Sequence, residues 1–178
     1  MCLRGLAGRA CSMTEPWLKG SLPGLDPVLS HLIRAGQHIR EDLESALAPL
    51  GPAEIWAKPH GLTSAGFHAK HLAGSTERLC NYLAGRALNG EQLAAIPQES
   101  TGSETATELI DRINRAVDIY EKQVRALQPE DFAALRYVGR SRLPVTAISL
   151  AIHIAEHGQR HAGQAIAAAK LATALRHA

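Results

Sequence analysis

Residues 144–175 read PVTAISLAIHIAEHGQRHAGQAIAAAKLATAL, and this segment determines most of the architecture. Alanine dominates it, and no proline follows Pro144, so nothing in the segment stops a helix from running through it. Pro144 suits the first turn of a helix, where a backbone N–H has no partner within the helix. Lys170 and Arg176 lie near the end, where the helix dipole favours positive charge. The segment therefore predicts one long helix from Pro144 to about Leu175.

Three more amphipathic helices are predicted upstream of this segment. Their apolar residues recur every three or four positions, which places these residues on one face of a helix. Capping residues mark the starts, because their side-chain oxygens accept hydrogen bonds from the first backbone amides. The predicted starts are Asp26, Thr63 or Ser64, and Thr101 or Ser103, and the helices are expected to end before Pro49, near Leu88 and near Gln128.

The predicted fold class is all-α, because no stretch shows the sustained alternation of β-branched residues that a strand needs. Four amphipathic helices of about 20 to 30 residues favour a four-helix bundle with long connections. The long link between the second and third helices permits a parallel crossover. Residues 128–142 are predicted to be irregular. Residues 16–178 then form one domain, and residues 1–15 form a disordered or non-native N-terminal extension.

Charge and cysteine content exclude several classes of protein. Nineteen lysines and arginines stand against 17 acidic residues, with a net charge of +2 and no basic run. No nucleic-acid partner is therefore expected. No apolar run approaches the roughly 18 residues of a membrane span, so we expect a soluble protein with no membrane contact. The three cysteines form neither a C-x-x-C pair nor an even disulfide set, which favours the reducing cytoplasm.

The most informative residues are His153, His157 and His161, which follow one another at four-residue steps. On a helix they form one stripe, and two adjacent members can point at a common ion. His153 and His161 lie about 12 Å apart along the axis, which is too far for both to bind one ion. Only one adjacent pair is therefore expected to chelate.

A metal held by two histidines needs a third protein ligand, which must come from another helix. The second predicted helix offers His68 and His71. Cys80 lies half a helical circuit from His71 and is a poor candidate. A lone histidine on such a face is more often an ordinary interior or solvated residue, but clustering several ionisable rings against an apolar face is costly without a partner. The remaining histidines are given that ordinary interpretation: His31, His38, His60 and His177.

Two segments, FHAKHLAGSTERL at 67–79 and AISLAIHIAEHGQRHAGQ at 147–164, resemble the DinB/YfiT-like superfamily. The resemblance spans about residues 20–175 and is most specific in HGQRHAGQ. It implies that His71, His157 and His161 form a metal-binding triad, with His153 left outside it. It also implies a four-helix bundle with a parallel crossover.

The resemblance further implies a metal-dependent enzyme of transferase or hydrolase type, because relatives include thiol-dependent transferases and isomerases. Three neutral imidazoles leave a divalent ion its full charge and an open position, where a water or a thiolate can act as the nucleophile. Zinc, nickel and iron(II) all suit imidazole ligands. His153, Gln164, Arg78 and Tyr82 are interpreted as residues that support the ligands or contact substrate, and Gly163 as a point of close helix approach.

The expected partners are a small-molecule substrate, in particular a low-molecular-weight thiol such as bacillithiol or mycothiol, and a second copy of the chain in a homodimer. The alternative function is a non-catalytic metal-binding or dimerising helical bundle, whose histidines are structural or regulatory. A solvent-open site over the triad would favour the enzyme, and a triad sealed by side chains would favour the alternative.

Overall fold

The computed structural model describes residues 14–176. Most of the expected N-terminal extension, residues 1–13, lies outside the described residues, as does His177. The described part contains six α-helices: α1 (Pro27–Leu47), α2 (Pro52–Ile55), α3 (Ala65–Leu83), α4 (Gly90–Ala94), α5 (Ala106–Ala126) and α6 (Ala147–Arg176). It also contains two strands, β1 (Leu135–Val138) and β2 (Leu143–Thr146), and four short 3-10 turns. The protein is therefore mostly helical, with one small sheet.

The caps at the helix starts explain where the long helices begin. The Asp26 carboxylate accepts from the amide of Val28 at 2.8 Å, as the sequence predicts for α1. Ser64, rather than Thr63, caps α3 by accepting from Phe67 at 3.1 Å. The cap of α5 is Thr105, so the predicted start at Thr101 or Ser103 is wrong. Thr105 is the N-cap because it forms a reciprocal capping box with Glu108.

The prediction of a mostly helical fold is confirmed, but the fold is not strictly all-α, because β1 and β2 form an antiparallel hairpin within the segment predicted to be irregular. Strands of four residues are too short to show a clear alternation in the sequence. Pro144 pairs with Tyr137 in this hairpin instead of opening the last helix. The helix α6 begins three residues later, after Thr146, whose hydroxyl accepts from the amide of Ser149 at 3.3 Å.

The four long helices pack around two buried hydrophobic clusters, and each helix contributes to both. Both α1 and α3 pack against α5 and α6. Large side chains from α1, α3 and α5, such as Leu43, Leu72 and Ile113, are buried against the small residues of α6. Alanines on α6 let the neighbouring helices approach closely, and those buried are Ala147, Ala151, Ala155, Ala162, Ala165, Ala168, Ala169 and Ala172. Among the described residues, no helix is both long and apolar enough to cross a membrane.

Helices α1 and α6 approach each other closely at Gly158. A Cβ built there would lie 2.6 Å from Cδ1 of Ile39, which is inside van der Waals contact. At Gly163 nothing lies within 4 Å of such a Cβ. The prediction that Gly163 permits close helix approach is therefore wrong. Five residues turn the helix by about 140° beyond a full circle, so Gly163 faces solvent where Gly158 faces α1.

These two glycines should respond oppositely to alanine. Gly163→Ala should raise the free energy of unfolding by about 0.5–1 kcal/mol, because it adds helix propensity without a clash. Gly158→Ala gains the same propensity but must displace the buried Ile39, and overpacking of this kind costs about 1–3 kcal/mol. Urea denaturation of both variants measures the difference. Equal stabilisation by the two substitutions would contradict the close contact at Gly158.

Candidate metal centre

Three histidines from two helices converge where α3 packs against α6. His71 comes from α3, and His157 and His161 come from successive turns of α6. One potential ligand atom from each lies within 4.8 Å of the other two. The ring centroid of His161 is 4.5 Å from those of both His71 and His157. These three side chains could therefore hold one metal ion between them.

Each of the three rings has its Nδ1 engaged by a neighbouring side chain. Nδ1 of His71 lies 2.7 Å from Oε2 of Glu99. Nδ1 of His157 lies 3.4 Å from Oγ of Ser75. Nδ1 of His161 lies 3.1 Å from Nδ1 of His68. In every case the opposite ring nitrogen, Nε2, is left to bind an ion, which is the arrangement that protein metal sites use to orient histidine ligands.

The hydrogen bonds also fix which nitrogen carries the proton. An ionised carboxylate can only accept, so His71 donates Nδ1–H to Glu99 and keeps a lone pair on Nε2. The Ser75 hydroxyl donates to the carbonyl of Leu72 at 3.1 Å, so its oxygen accepts Nδ1–H from His157. Both rings are thereby held in the tautomer that a metal requires.

Glu99, like Ser75, is a residue of this site that the sequence did not reveal. Its side chain is only 3% exposed and lies in the 3-10 turn Ile96–Ser100. Besides His71, it binds Arg78, whose Nη1 lies 2.6 Å from Oε1. Burial raises the pKa of Glu99, but the hydrogen bonds and charges of His71 and Arg78 outweigh burial, and the net pKa is lowered. Glu99 is therefore ionised at neutral pH.

A glycine makes room for this buried carboxylate. A Cβ at Gly74, one turn after His71 on α3, would overlap Oε1 of Glu99. The segment that carries Glu99 belongs to a polar connection without helical periodicity. Sequence patterns therefore gave no signal for its role, since its contact with His71 spans 28 residues.

The other candidate residues occupy different positions around the triad. His68 is 8% exposed and supports His161 from the buried side. Arg78 binds Glu99, as described above.

His153 is exposed, with its ring centroid 5.8 Å from that of His157. Gln164 is exposed one turn beyond His161, and Tyr82 is half-buried about 16 Å along α3 from His71. Cys80 lies in the core, where burial raises the pKa of its thiol to about 12, so it stays protonated.

The environment of His157 and His161 keeps these two rings neutral near neutral pH. Burial, together with the neighbouring His71 and His153, lowers the pKa of His157 to about 4. Burial likewise lowers the pKa of His161 to about 4, together with the charge of His157 and His71 when these are protonated. The lone pairs of both rings are therefore available near neutral pH.

These pKa values predict that the metal-free protein loses stability in mild acid. Both histidines have an ordinary pKa of about 6.5 when unfolded and about 4 when folded, so the unfolded state binds more protons between these values. The free energy of unfolding should therefore fall as the pH falls from about 6.5 to about 4. Urea denaturation in the presence of a chelator measures this slope. It should be shallower in a His157→Gln/His161→Gln variant, and an unchanged slope would contradict the assignment.

Together these features define a helical protein with a three-histidine site able to hold a divalent ion. The family model described as the DinB superfamily matches residues 36–165, a range that includes His71, His157 and His161. The match covers well over half of the sequence, so the chain belongs to the DinB superfamily, and the resemblance noted in the sequence is confirmed. A comparison with curated proteins gives no match.

Proposed function

We propose that this protein is a metal-dependent enzyme in which Nε2 of His71, His157 and His161 binds one divalent ion. The observation that carries the proposal is the shared arrangement of the three rings. Each has its Nδ1 held by a separate neighbour, Glu99, Ser75 or His68, while the rings converge on one point. A chance cluster of histidines would not be expected to have all three Nδ1 atoms paired with neighbouring side chains.

The donor set supports zinc, nickel or iron(II) as the ion, since imidazole suits all three. Three protein ligands rather than four are typical of catalytic sites, which keep one coordination position for water or substrate. An ion bound there would supply Lewis acidity, which makes a coordinated water or thiol more acidic near neutral pH. The three rings are partly exposed rather than sealed, which favours the enzyme over a purely structural site.

The residues around the three histidines would have the following roles. Glu99 fixes the orientation and tautomer of His71, and Arg78 holds Glu99 in place. Ser75 does the same for His157, and His68 orients the ring of His161. We propose His153 and Gln164, exposed on α6 beside the ligands, as substrate contacts.

The proposed reaction is transfer of a low-molecular-weight thiol to an electrophile, or hydrolysis by water.

For the architecture, we propose a four-helix bundle with a parallel crossover, supported by the packing of α1 and α3 against both α5 and α6. The homodimer and the cytoplasmic location stay predictions from the sequence, as does the role of Tyr82.

The test compares metal-loaded and metal-free protein in two panels, thiol transfer to electrophiles and hydrolysis of activated esters. We expect turnover in one panel that disappears on chelation and in His157→Ala, and returns when metal is restored to the unmodified protein. His31→Ala is the matched control, because His31 is an exposed histidine on α1, and it should keep full activity. A protein that binds metal but is inactive in both panels would favour the non-catalytic alternative.

A further inference from the structure

A second concave site lies between the C-terminal end of α3 and the β-hairpin. It is a cavity of about 440 Å³, and four of its lining residues are arginines: Arg86, Arg136, Arg140 and Arg142. Two tyrosines, Tyr82 and Tyr137, also line the cavity, and none of its lining residues is acidic. We propose that this cavity binds a small polyanion carrying two or more phosphate or carboxylate groups.

Within residues 14–176, none of these four arginines forms an ion pair with a carboxylate. Arg136 donates from Nε to the carbonyl oxygen of Leu83 at 2.6 Å, and Arg86 donates twice to the amide oxygen of Asn81, at 3.2 and 3.0 Å. Both acceptors are uncharged, so they orient the guanidinium groups without cancelling their charge. Four other arginines in residues 14–176 do pair with carboxylates, as Arg40–Asp118, Arg78–Glu99, Arg125–Glu121 and Arg176–Glu54.

The turn of the hairpin holds an arginine in an unfavourable backbone conformation. Arg142 has φ +50°, in the left-handed region that favours glycine or asparagine. Its guanidinium lies over the ring of Tyr137, 4.8 Å from the centroid, at the wall of the cavity. A glycine would form this turn with less strain. Strained non-glycine residues cluster at binding sites, where the side chain is needed in one place.

The chemistry of the lining selects the ligand class. Guanidinium groups form paired hydrogen bonds with phosphate and carboxylate oxygens, and several around one cavity favour a ligand with more than one such group. The volume of the cavity lies within the range of small-molecule sites. The cavity is also concave, unlike the extended basic stripe that a nucleic acid requires.

Tyr82 lies eleven residues beyond His71, about 16 Å along α3, so this site is separate from the candidate metal centre.

The test titrates the full chain with fructose 1,6-bisphosphate, and separately with tricarballylate, by isothermal calorimetry at about 0.1 M salt. We expect one site per chain with a dissociation constant below about 1 mM for one of the two probes. The probe that binds more tightly identifies phosphate or carboxylate as the preferred group. Arg140→Gln/Arg142→Gln should weaken binding by about tenfold or more, because charge-assisted hydrogen bonds are lost.

The matched control is Arg115→Gln/Arg125→Gln, which removes the same charge from exposed positions on α5 and should change the affinity less than about twofold. Circular dichroism verifies that both variants fold, and Arg86→Gln provides an independent variant on α3. His157→Ala should bind the probe normally, so failure of the metal proposal leaves this one intact. Absence of binding by both probes, equal weakening in the two double variants, or tighter binding of a short DNA duplex would overturn the proposal.

Discussion

Replacing His157 by alanine should abolish tight binding of divalent metal, and His71→Ala should do the same. Loss of one of three ligands should lower the affinity by at least about 100-fold, since loss of a residue that only supports a ligand already costs about 10- to 100-fold. His153→Ala should lower it only a few-fold, because His153 is exposed and lies outside the converging group. Competition titration of Zn²⁺ against a chromophoric chelator measures all three affinities.

The control for these variants is His31→Ala, an exposed histidine on α1 that should leave the affinity unchanged. An equal loss in His153→Ala and His157→Ala would show that the ligand pair on α6 has been chosen wrongly. It would then include His153, as the four-residue spacing alone also permits.

Replacing Glu99 should weaken metal binding although Glu99 is not proposed as a ligand. Glu99→Ala removes the acceptor that orients His71, which should lower the affinity for Zn²⁺ by about 10- to 100-fold. It also leaves Arg78, whose side chain is 11% exposed, without its carboxylate. Breaking such a buried pair lowers the free energy of unfolding by about 3–5 kcal/mol. Zinc titration and urea denaturation measure the two effects separately.

Two further variants separate positioning from general destabilisation. Glu99→Gln keeps the size and an accepting oxygen for His71, so its zinc affinity should lie between those of the unmodified protein and Glu99→Ala. Glu104→Gln is the matched control, because Glu104 pairs with Lys70 outside the histidine cluster and should leave zinc binding unchanged. If Glu99→Ala bound zinc as tightly as the unmodified protein, the role of Glu99 in orienting His71 would be wrong.

The long helices were predictable because their signals are local. Apolar residues at helical spacing and the caps Asp26 and Ser64 lie within the elements they define. The hairpin was not predictable in this way, because β1 and β2 are only four residues long and are stabilised by their pairing with each other. Pro144 is compatible with the first turn of a helix and with a strand, and the pairing of the hairpin decides between them.

The same distinction applies to the candidate site. The four-residue spacing of His153, His157 and His161 predicted one adjacent chelating pair from the sequence alone. The choice of His157 and His161 as that pair, and of His71 over His68, depended on the family resemblance. Glu99 and Ser75 could not be inferred, because their contacts with His71 and His157 join residues 28 and 82 positions apart. Contacts of this kind depend on how α3, α6 and the connecting turns pack, which no local pattern encodes.

The most direct test of the central claim is elemental analysis of the full chain purified without a histidine tag. We predict about one zinc, nickel or iron ion per chain, removable by a chelator and restored by adding Zn²⁺ or Ni²⁺. The chelated protein should keep its helical circular dichroism, because the buried helix faces rather than the ion supply most of the stability. Substoichiometric metal that added Zn²⁺ or Ni²⁺ cannot restore would contradict the three-histidine metal centre.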